Sequence, residues 1–236
     1  MRLLTWNLNI GKAGAYWSRL QNQLGADFVF LQESRPLSEA RNELWQEVPG
    51  QVWGSAISCA SGWIEQVHVP RFEGWVVGGR YTNECEPPRT APLYLFSLHA
   101  PTNSDADRRD PYVAEVVSAV DAVLAAVADG ARIVIAGDFN FLSFGERSGG
   151  ESLMTTKKER EALAHFAKHG LVPLWRTVHP EGALPQTLRW SGDAHAQFHC
   201  DGFLVSRDLS NDAHCEVLTS ARLMAVSDHN PVAAWL

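Results

Sequence analysis

The chain of 236 residues has the size of one ordinary domain, and with 45% hydrophobic and 20% charged residues its composition is that of a globular protein. This composition excludes a disordered or fibrous chain. The net charge of −7 argues against tight, charge-driven binding to nucleic acid, but it leaves a nucleic-acid substrate open because a bound divalent cation can override net charge.

The first half of the chain is predicted to contain short buried strands and two helices. Apolar and aromatic stretches predict strands at 2–8, 27–32, 51–58, 63–69, 74–81 and 92–99. Helical spacing of apolar residues predicts a helix at 15–24, and Ser38 is the N-cap of a second helix predicted at 38–45. Glycine and proline separate the three strands between 51 and 81, which indicates a meander.

The second half is predicted to contain the longest helix, at 111–128, where valines recur at helical spacing. A further helix is predicted at 157–169, closed by Gly170. Strands are predicted at 132–136, 172–177, 187–190, 202–206, 216–219 and 231–235. Many strands with few helices favour an α+β chain, and because no linker or repeat interrupts it, we expect one domain over 1–236.

The sequence shows no pattern typical of export or membrane insertion. The first apolar stretch ends at Asn7, too early for a signal peptide, and the longest apolar stretch carries Glu115 and Asp121. The four cysteines form no CxxC pair, so free thiols are expected. We therefore expect a cytoplasmic monomer without a membrane partner.

Polar side chains recur at the ends of the predicted strands, where functional sites are commonly built on a rigid scaffold. They are Asn7, Asn9, Glu33, His99, Asn103, Asp138, Asn140, Asp201, Asp228 and His229. Carboxylate and amide oxygens are ligands of Mg²⁺ or Mn²⁺, a carboxylate can activate water, and amide or imidazole groups can hold phosphoryl oxygens. This set favours metal-assisted hydrolysis of a phosphoester. Because no nucleophile elbow is present, direct attack by water is favoured.

Each of these residues also has a simpler interpretation. Asn7 and Asn9 could form a turn, Asp138 and Asn140 an Asx-turn, and Glu33 a solvated loop. The complete set in this order favours the catalytic interpretation. By contrast, His165, His169 and His179 lie near no carboxylate pair at metal-ligand spacing, and a structural role is expected for them.

Six segments carry a resemblance to a known family. TWNLN, LQE, SLHAPTN, GDFN, CDGFLVS and SDHNPV, in this order, closely resemble the endonuclease/exonuclease/phosphatase superfamily, which includes deoxyribonuclease I-like enzymes and exonuclease III-like abasic-site endonucleases. The stretch KKEREALAHFAKHGLVPLWRTVHPEG also resembles the exonuclease III class, with Pro173 replacing the usual Asp. The resemblance implies a four-layer α/β/β/α sandwich of two mostly antiparallel mixed sheets packed face to face, with helices outside and the site at one edge.

The resemblance also implies a metal centre for Mg²⁺ or Mn²⁺. Carried over position by position, Asn7 would position the metal and the phosphate, and Glu33 would bind the metal directly. Asp228 would support the same metal site.

Five catalytic roles follow from the same resemblance. Asp138 would orient or activate the attacking water, and Asn140 would hold the phosphate. His229 would bind and neutralise the phosphate, oriented by Asp201. His99, which matches a histidine of the deoxyribonuclease I-like members, would assist the phosphate or the leaving group.

Five further residues are assigned to substrate binding. Asn9 replaces an Asp of many members, and His199 replaces the usual Arg, which makes that contact pH-dependent. Phe198 falls in the loop that lines the sugar pocket of abasic-site enzymes, and Trp190 precedes that loop. Asn103 follows the strand that carries His99.

The function predicted from the sequence is therefore metal-dependent phosphodiester hydrolysis, with DNA as the substrate of an endonuclease or exonuclease. A small-molecule or lipid phosphoesterase of the same superfamily is a second hypothesis, favoured by the even negative charge. A catalytically silent binding module is a third, favoured by Asn9 and His199. Salt dependence separates the first two, because DNA binding weakens steeply as salt rises.

Overall fold

The structure, a computed structural model, describes residues 1–11, 16–36, 42–83, 91–100, 110–140, 157–181, 184–189 and 198–236. Over these residues the chain forms two six-stranded sheets. Strands of the first sheet are β1 (Arg2–Asn7), β2 (Phe28–Ser34), β3 (Glu43–Glu47), β4 (Gly54–Cys59), β11 (His214–Val217) and β12 (Val232–Trp235). Strands of the second sheet are β5 (Trp63–Val67), β6 (Val76–Thr82), β7 (Leu93–His99), β8 (Arg132–Asp138), β9 (Leu171–Pro173) and β10 (Asp201–Ser206).

Helices accompany both sheets. They are α1 (Tyr16–Leu24), α2 (Asp110–Ala126), α3 (Lys157–Lys168), α4 (Leu174–Val178) and α5 (Ala221–Met224), with a 3-10 turn at Arg207–Ser210. Within the described ranges, none of these helices is long and apolar enough to span a bilayer.

Each sheet is mixed. Its order is β11-β12-β1-β2-β4-β3 in the first sheet and β5-β6-β7-β8-β10-β9 in the second. Two neighbouring pairs run parallel, β1 with β2 and β7 with β8, and the other paired strands run antiparallel. Each parallel pair is joined through a helix, α1 or α2, because parallel neighbours need a crossover connection. In the first sheet, β12 lies between β1 and β11, so Leu3 pairs with Ala234.

Three apolar clusters give the layer order. The first lies between the sheets and includes Phe30 and Phe203, whose rings meet edge to face with centroids 6.4 Å apart. The second joins Val116 of α2 and Phe166 of α3 to the outer face of the second sheet. The third includes Leu20 of α1 on the outer face of the first sheet. Helices therefore lie outside two stacked sheets, and the predicted four-layer α+β sandwich is confirmed.

Strand register brings the predicted site residues to one edge. In the parallel pair of β7 and β8, His99 lies opposite Asp138, and in the antiparallel pair of β8 and β10, Asp201 lies opposite the same Asp138. Asn7 ends β1 beside Gln32 of β2. The ends of strands from both sheets therefore meet at one edge of the sandwich.

The predicted helix at 38–45 is wrong where the structure describes it, because residues 43–47 form β3 and pair with β4. Leu44 packs between the sheets and Trp45 packs on the outer cluster, an alternation that suits a strand with two apolar faces. Residues 38–41 lie outside the described residues.

Three other local predictions need correction. The meander over 51–81 is wrong because β4 belongs to the first sheet, whereas β5 and β6 belong to the second. The strand predicted at 172–177 ends at Pro173 and is followed by α4, where the Thr177 hydroxyl donates to the Pro173 carbonyl at 2.9 Å. The strand predicted at 187–190 is reduced to isolated bridges from Leu188 to Phe198 and to His229.

Candidate active site

Three side chains of the site sit on strained backbone. Asn9, Glu33 and Asn140 have φ angles of 48°, 48° and 50°, in the left-handed region that non-glycine residues seldom adopt. Glu33 lies in β2 where the register with β4 shifts between Leu31 and Ser34. Residues keep such a conformation only where the surrounding structure holds them in it. They are found most often at functional sites.

Gly137 allows β7 and β8 to approach closely beside the site. Its φ angle is 154°, and an added Cβ would lie 1.8 Å from the Leu98 carbonyl oxygen. Only glycine fits this approach. The next residue, Asp138, is thereby placed opposite His99.

The Asn7 side chain links three site residues. Its buried amide Nδ2 donates to Glu33 Oε1 at 3.1 Å and to Asp138 Oδ2 at 3.0 Å, while its Oδ1 accepts the Asn9 backbone N–H at 3.0 Å. A buried amide whose two N–H groups both donate holds its partners in fixed positions. Asn7 therefore sets the separation of the two carboxylates.

The loop that precedes β12 is tied to the same cluster. Asn9 Nδ2 donates to Asp228 Oδ1 at 2.6 Å, and the Ser227 hydroxyl donates to the Asn7 carbonyl at 2.8 Å. The His229 backbone N–H donates to the Ser227 hydroxyl at 3.1 Å, and Trp6 Nε1 donates to the His229 carbonyl at 3.0 Å. The backbone on either side of His229 is thus held by the first strand.

Asp138 is a buried carboxylate whose pKa is raised. Burial is the main cause, because it penalises the charged form, and the charge of Asp201 adds to it. Asp138 Oδ1 accepts the Asn140 backbone N–H at 3.0 Å. A carboxylate with a raised pKa is a stronger base than an exposed one, and this favours proton transfer from water.

His229 and Asp201 form a buried ion pair. His229 Nδ1 donates to the two Asp201 oxygens at 2.9 and 3.1 Å. Burial by itself would lower the pKa of His229, but the charge and hydrogen bond of Asp201, with Asp138 and Asp228, raise it to about 10. His229 is therefore an imidazolium at neutral pH, and its Nε2 lies 3.8 Å from Asp138 Oδ2.

His99 differs from His229 in its charge state. Burial lowers its pKa, so the imidazole is neutral at neutral pH. Its Nε2 lies 3.7 Å from Glu33 Oε1 and 3.8 Å from Asp138 Oδ2, which favours the tautomer with the proton on Nε2. The rings of Trp53 and Trp75 pack beside His99 with centroids 5.3 and 5.4 Å away. Two different imidazoles therefore face Asp138 Oδ2.

The structure brings most of the predicted site residues together. The residues joined by the contacts above are Asn7, Asn9, Glu33, His99, Asp138, Asn140, Asp201, Asp228 and His229. Asn103 and Trp190 lie outside the described residues. Phe198 is half-buried, and its carbonyl accepts the backbone N–H groups of Thr187 and Leu188.

His199 is buried beside the loop residue Pro185 and the ring of Trp175. Its Nδ1 donates to the Pro185 carbonyl at 2.7 Å, and its ring lies 5.3 Å from the ring of Trp175. Burial lowers its pKa to about 4, so at neutral pH it carries no charge for a phosphate. These contacts are those of a packed side chain, and the substrate contact of His199 stays a prediction.

Replacing His199 with glutamine is expected to make the protein less sensitive to acid. An unfolded histidine takes up a proton near pH 6.5, whereas folded His199 does so only near pH 4, so this residue lowers the free energy of unfolding as pH falls between these values. The acid-dependent loss due to His199 is at most about 3 kcal/mol. Urea unfolding at pH 7 and pH 4.5 measures it, and an unchanged pH dependence in H199Q would refute the assignment.

Four residues that contact the site were not predicted. Arg189 donates to Asn230 Oδ1 and to the Ser227 carbonyl, which places a cation behind the Asp228 loop. Trp53 and Trp75 pack on His99, as described above. Thr187 Oγ1 accepts the backbone N–H groups of Cys200 and Asp201 at 2.9 and 3.2 Å. No sequence motif marks these residues, and only the folded arrangement of the two sheets and of the 184–189 segment brings them to the site.

The donor set suits a hard divalent cation. Glu33 keeps 21% of its side chain exposed, whereas Asp138 is nearly closed off, so the open carboxylate is Glu33. Glu33 and Asp228 offer carboxylate oxygens and Asn7 and Asn9 offer amide oxygens, as Mg²⁺ or Mn²⁺ requires. Asp138, Cys200 and His229 also lie close together, but His229 is paired to Asp201 and burial raises the pKa of the Cys200 thiol. We therefore interpret Asp138, Cys200 and His229 as a charge network.

Comparison with known proteins identifies the fold. No family model matches the sequence, and no curated protein matches it. Among solved structures, an AP endonuclease from Archaeoglobus fulgidus has a TM-score of 0.73 at 16% identity, covering 100% of this chain and 99% of that one. The 3′ phosphatase NExo from Neisseria, bound to a product DNA hairpin, has a TM-score of 0.67 at 16% identity, covering 100% and 99%. An endonuclease/exonuclease/phosphatase family protein from Leptotrichia buccalis has a TM-score of 0.62 at 12% identity, covering 100% and 98%.

The described residues therefore have the fold of endonuclease/exonuclease/phosphatase proteins, and the fold implied by the sequence resemblance is confirmed. Identities of 12–16% establish the common fold and nothing finer. The chemistry has to be argued from the residues of this chain.

Proposed function

We propose that the protein is a Mg²⁺- or Mn²⁺-dependent phosphodiester hydrolase that cleaves DNA by direct attack of water. The observation that carries the proposal is the cluster in which Asn7 joins Glu33 to Asp138 while two imidazoles of different charge face the same Asp138 oxygen. The proposal includes a single domain over residues 1–236 that acts as a cytoplasmic monomer.

Asp138 is the proposed base for the attacking water. Water forms the new bond to phosphorus and gives a proton to Asp138, and the bond from phosphorus to the leaving oxygen breaks. The leaving oxygen takes up a proton from solvent. The raised pKa of Asp138 favours its protonation in this step, and the bonds from Asn7 and Asn140 hold the carboxylate in one orientation.

The phosphate is proposed to bind between the two imidazoles. The charged His229 donates through Nε2 to a non-bridging oxygen, because its Nδ1 already donates to Asp201. The neutral His99 donates through Nε2 to a second oxygen. Asn140 Nδ2 donates to the Ala100 carbonyl at 3.2 Å, which places the amide beside the same edge. Donors fixed in advance stabilise the charge that develops as water attacks.

Glu33 is proposed to hold the cation, supported by Asp228 and the amide oxygens of Asn7 and Asn9. When bound, the metal neutralises charge on the phosphate and on the leaving oxygen. Many members have an Asp where this chain has Asn9. The hydrogen bond from Asn9 to Asp228 compensates for this change, because it keeps the Asp228 carboxylate at the site.

DNA is proposed as the substrate because one structural neighbour is an AP endonuclease by name and another holds a product DNA hairpin. A small phosphoester is the second candidate, and the net charge of −7 favours it, since DNA is itself an anion. The two candidates share the catalytic cluster and differ in what the surrounding surface must bind.

Hydrolysis of three substrates by the purified protein tests the proposal: intact duplex DNA, duplex DNA with one abasic site, and a panel of small phosphoesters. We expect cleavage of DNA with Mg²⁺ or Mn²⁺, loss of turnover with EDTA, and recovery when either cation is restored. DNA cleavage should weaken steeply between 50 and 200 mM salt, by roughly 10³-fold if six phosphates are contacted.

Each outcome decides between the hypotheses. Turnover confined to small phosphoesters, with little salt dependence, would replace DNA by the second candidate. A folded protein without divalent-dependent turnover on any of the three would favour the silent binding module. Turnover that persists in EDTA would refute the metal requirement.

A further inference from the structure

A second group of ligand-type side chains lies on the outer helices. His165 is in the last turn of α3, and His169 follows the end of that helix. Asp121 lies on the neighbouring α2. One ligand atom from each of the three residues lies within 4.8 Å of the others. His165 Nε2 lies 2.6 Å from Asp121 Oδ1, and the two imidazole rings have centroids 4.9 Å apart.

Sequence spacing could not reveal this group, because its carboxylate comes from another helix, 44 residues away. The histidines four residues apart share one side of the chain at the end of α3. Helix packing through Phe166 and Val120 in the outer cluster of the second sheet brings Asp121 alongside them.

We infer that Asp121, His165 and His169 form a surface site for a divalent transition metal, Zn²⁺ above the others. Two imidazole nitrogens and one carboxylate oxygen make a ligand set that zinc takes with water in the remaining position. Ligand atoms about 2.0–2.1 Å from zinc lie roughly 3.3 Å from one another in a tetrahedron. The exposed side chains of Asp121 and His165, at 50% and 34%, can rotate to that spacing.

A hydrogen bond between Asp121 and His165 would account for two of the three residues without a metal. It does not involve His169, whose ring packs on that of His165 at the same place. A metal shared by all three residues gives His169 a partner.

This site is separate from the candidate active site. The chain leaves α3 through Gly170 into β9, where Leu171 pairs with Ser206. Ser206 is the last residue of β10, and Asp201 of the candidate active site is the first, so the two residues lie at opposite ends of this strand. The metal would therefore join α2 to α3 toward the end of the sandwich opposite the catalytic cluster. It would act on stability and leave hydrolysis unchanged.

Zinc titration of the full chain tests this site. In calorimetry with excess Mg²⁺ present, we expect a zinc-binding step in the parent protein. Tm should rise by about 5–10 °C at hundredfold zinc over its Kd. The binding step and the Tm rise should disappear in H169A and in D121N. The matched variant H68A, which removes another exposed histidine beside a carboxylate, should keep both.

Zinc bound at the catalytic carboxylates would give a different pattern. It would survive in H169A and D121N, and that result would overturn the inference. An anomalous zinc peak in crystals, found between α2 and α3, would support it, and zinc peaks found only elsewhere would contradict it. H169A should hydrolyse substrate at the parent rate, so a failed zinc site and a failed hydrolase proposal are told apart.

Discussion

Asp138→Asn is expected to lower kcat by about 10²–10⁴-fold, because the variant loses the base that accepts the proton from water. Asparagine has nearly the same shape and can still accept the Asn140 backbone N–H. Removal of the charge relieves the burial penalty that raises the pKa of Asp138, but the new amide NH2 faces the Asn7 donor, so we expect a folded protein that is less stable by about 1–3 kcal/mol. Steady-state kinetics on the substrate found to turn over, with circular dichroism and Tm of the same samples, measure both effects.

Asp27→Asn is the matched control for this variant. Asp27 is an exposed aspartate that accepts the Arg2 backbone N–H at 2.8 Å, before β2 and thus at the other end of the strand from Glu33. The same change of charge there should leave kcat unaltered. If D138N kept a rate within a few-fold of the parent, Asp138 would not be the base, and the proposed mechanism would fail.

The second large effect is expected from His229→Asn. The asparagine amide can still donate to Asp201 but removes the cation and the Nε2 donor, so kcat/KM should fall by about 10²–10³-fold. The free energy of unfolding should also fall, by up to about 3–5 kcal/mol, because Asp201 stays buried without an opposite charge. Kinetics and urea unfolding report the two losses separately.

His214→Asn is the matched control for the histidine variant. His214 lies in β11 with 58% of its side chain exposed, 3.9 Å from Glu216. It should change neither the rate nor the stability by much, because exposed ion pairs contribute little. A rate loss in H214N as large as that in H229N would show that the effect of His229 is not specific to the cluster.

Most strands and the long helices could be predicted from the sequence because apolar residues repeat with a clear period. The errors have a common physical cause. Residues 43–47 form a strand because Leu44 and Trp45 meet different apolar layers, and such two-sided burial hides the strand period. Similarly, β4 and β5 are adjacent in the chain but belong to different sheets, and periodicity carries no information about which sheet a strand joins.

The candidate site was predictable as a set of residues, because short motifs in a fixed order carry it. Their roles remain predictions. The folded structure added two features that the motifs do not contain. His99 is neutral whereas His229 is a cation, and two tryptophans pack on His99. Charge state depends on burial and on neighbours distant in sequence, and His199 shows this most clearly, since burial beside Trp175 leaves it neutral.

The position of β12 between β1 and β11 governs when the first sheet can be completed. Until residues 232–235 leave the ribosome, the edges of β1 and β11 that β12 will occupy remain unpaired, and the first sheet cannot close. His229 lies just before β12, so its imidazole reaches Asp201 only when this part of the chain is in place. Under the proposed function, a chain in which β12 has not yet paired is therefore inert toward nucleic acid, and pairing over such long distances along the sequence favours slow folding.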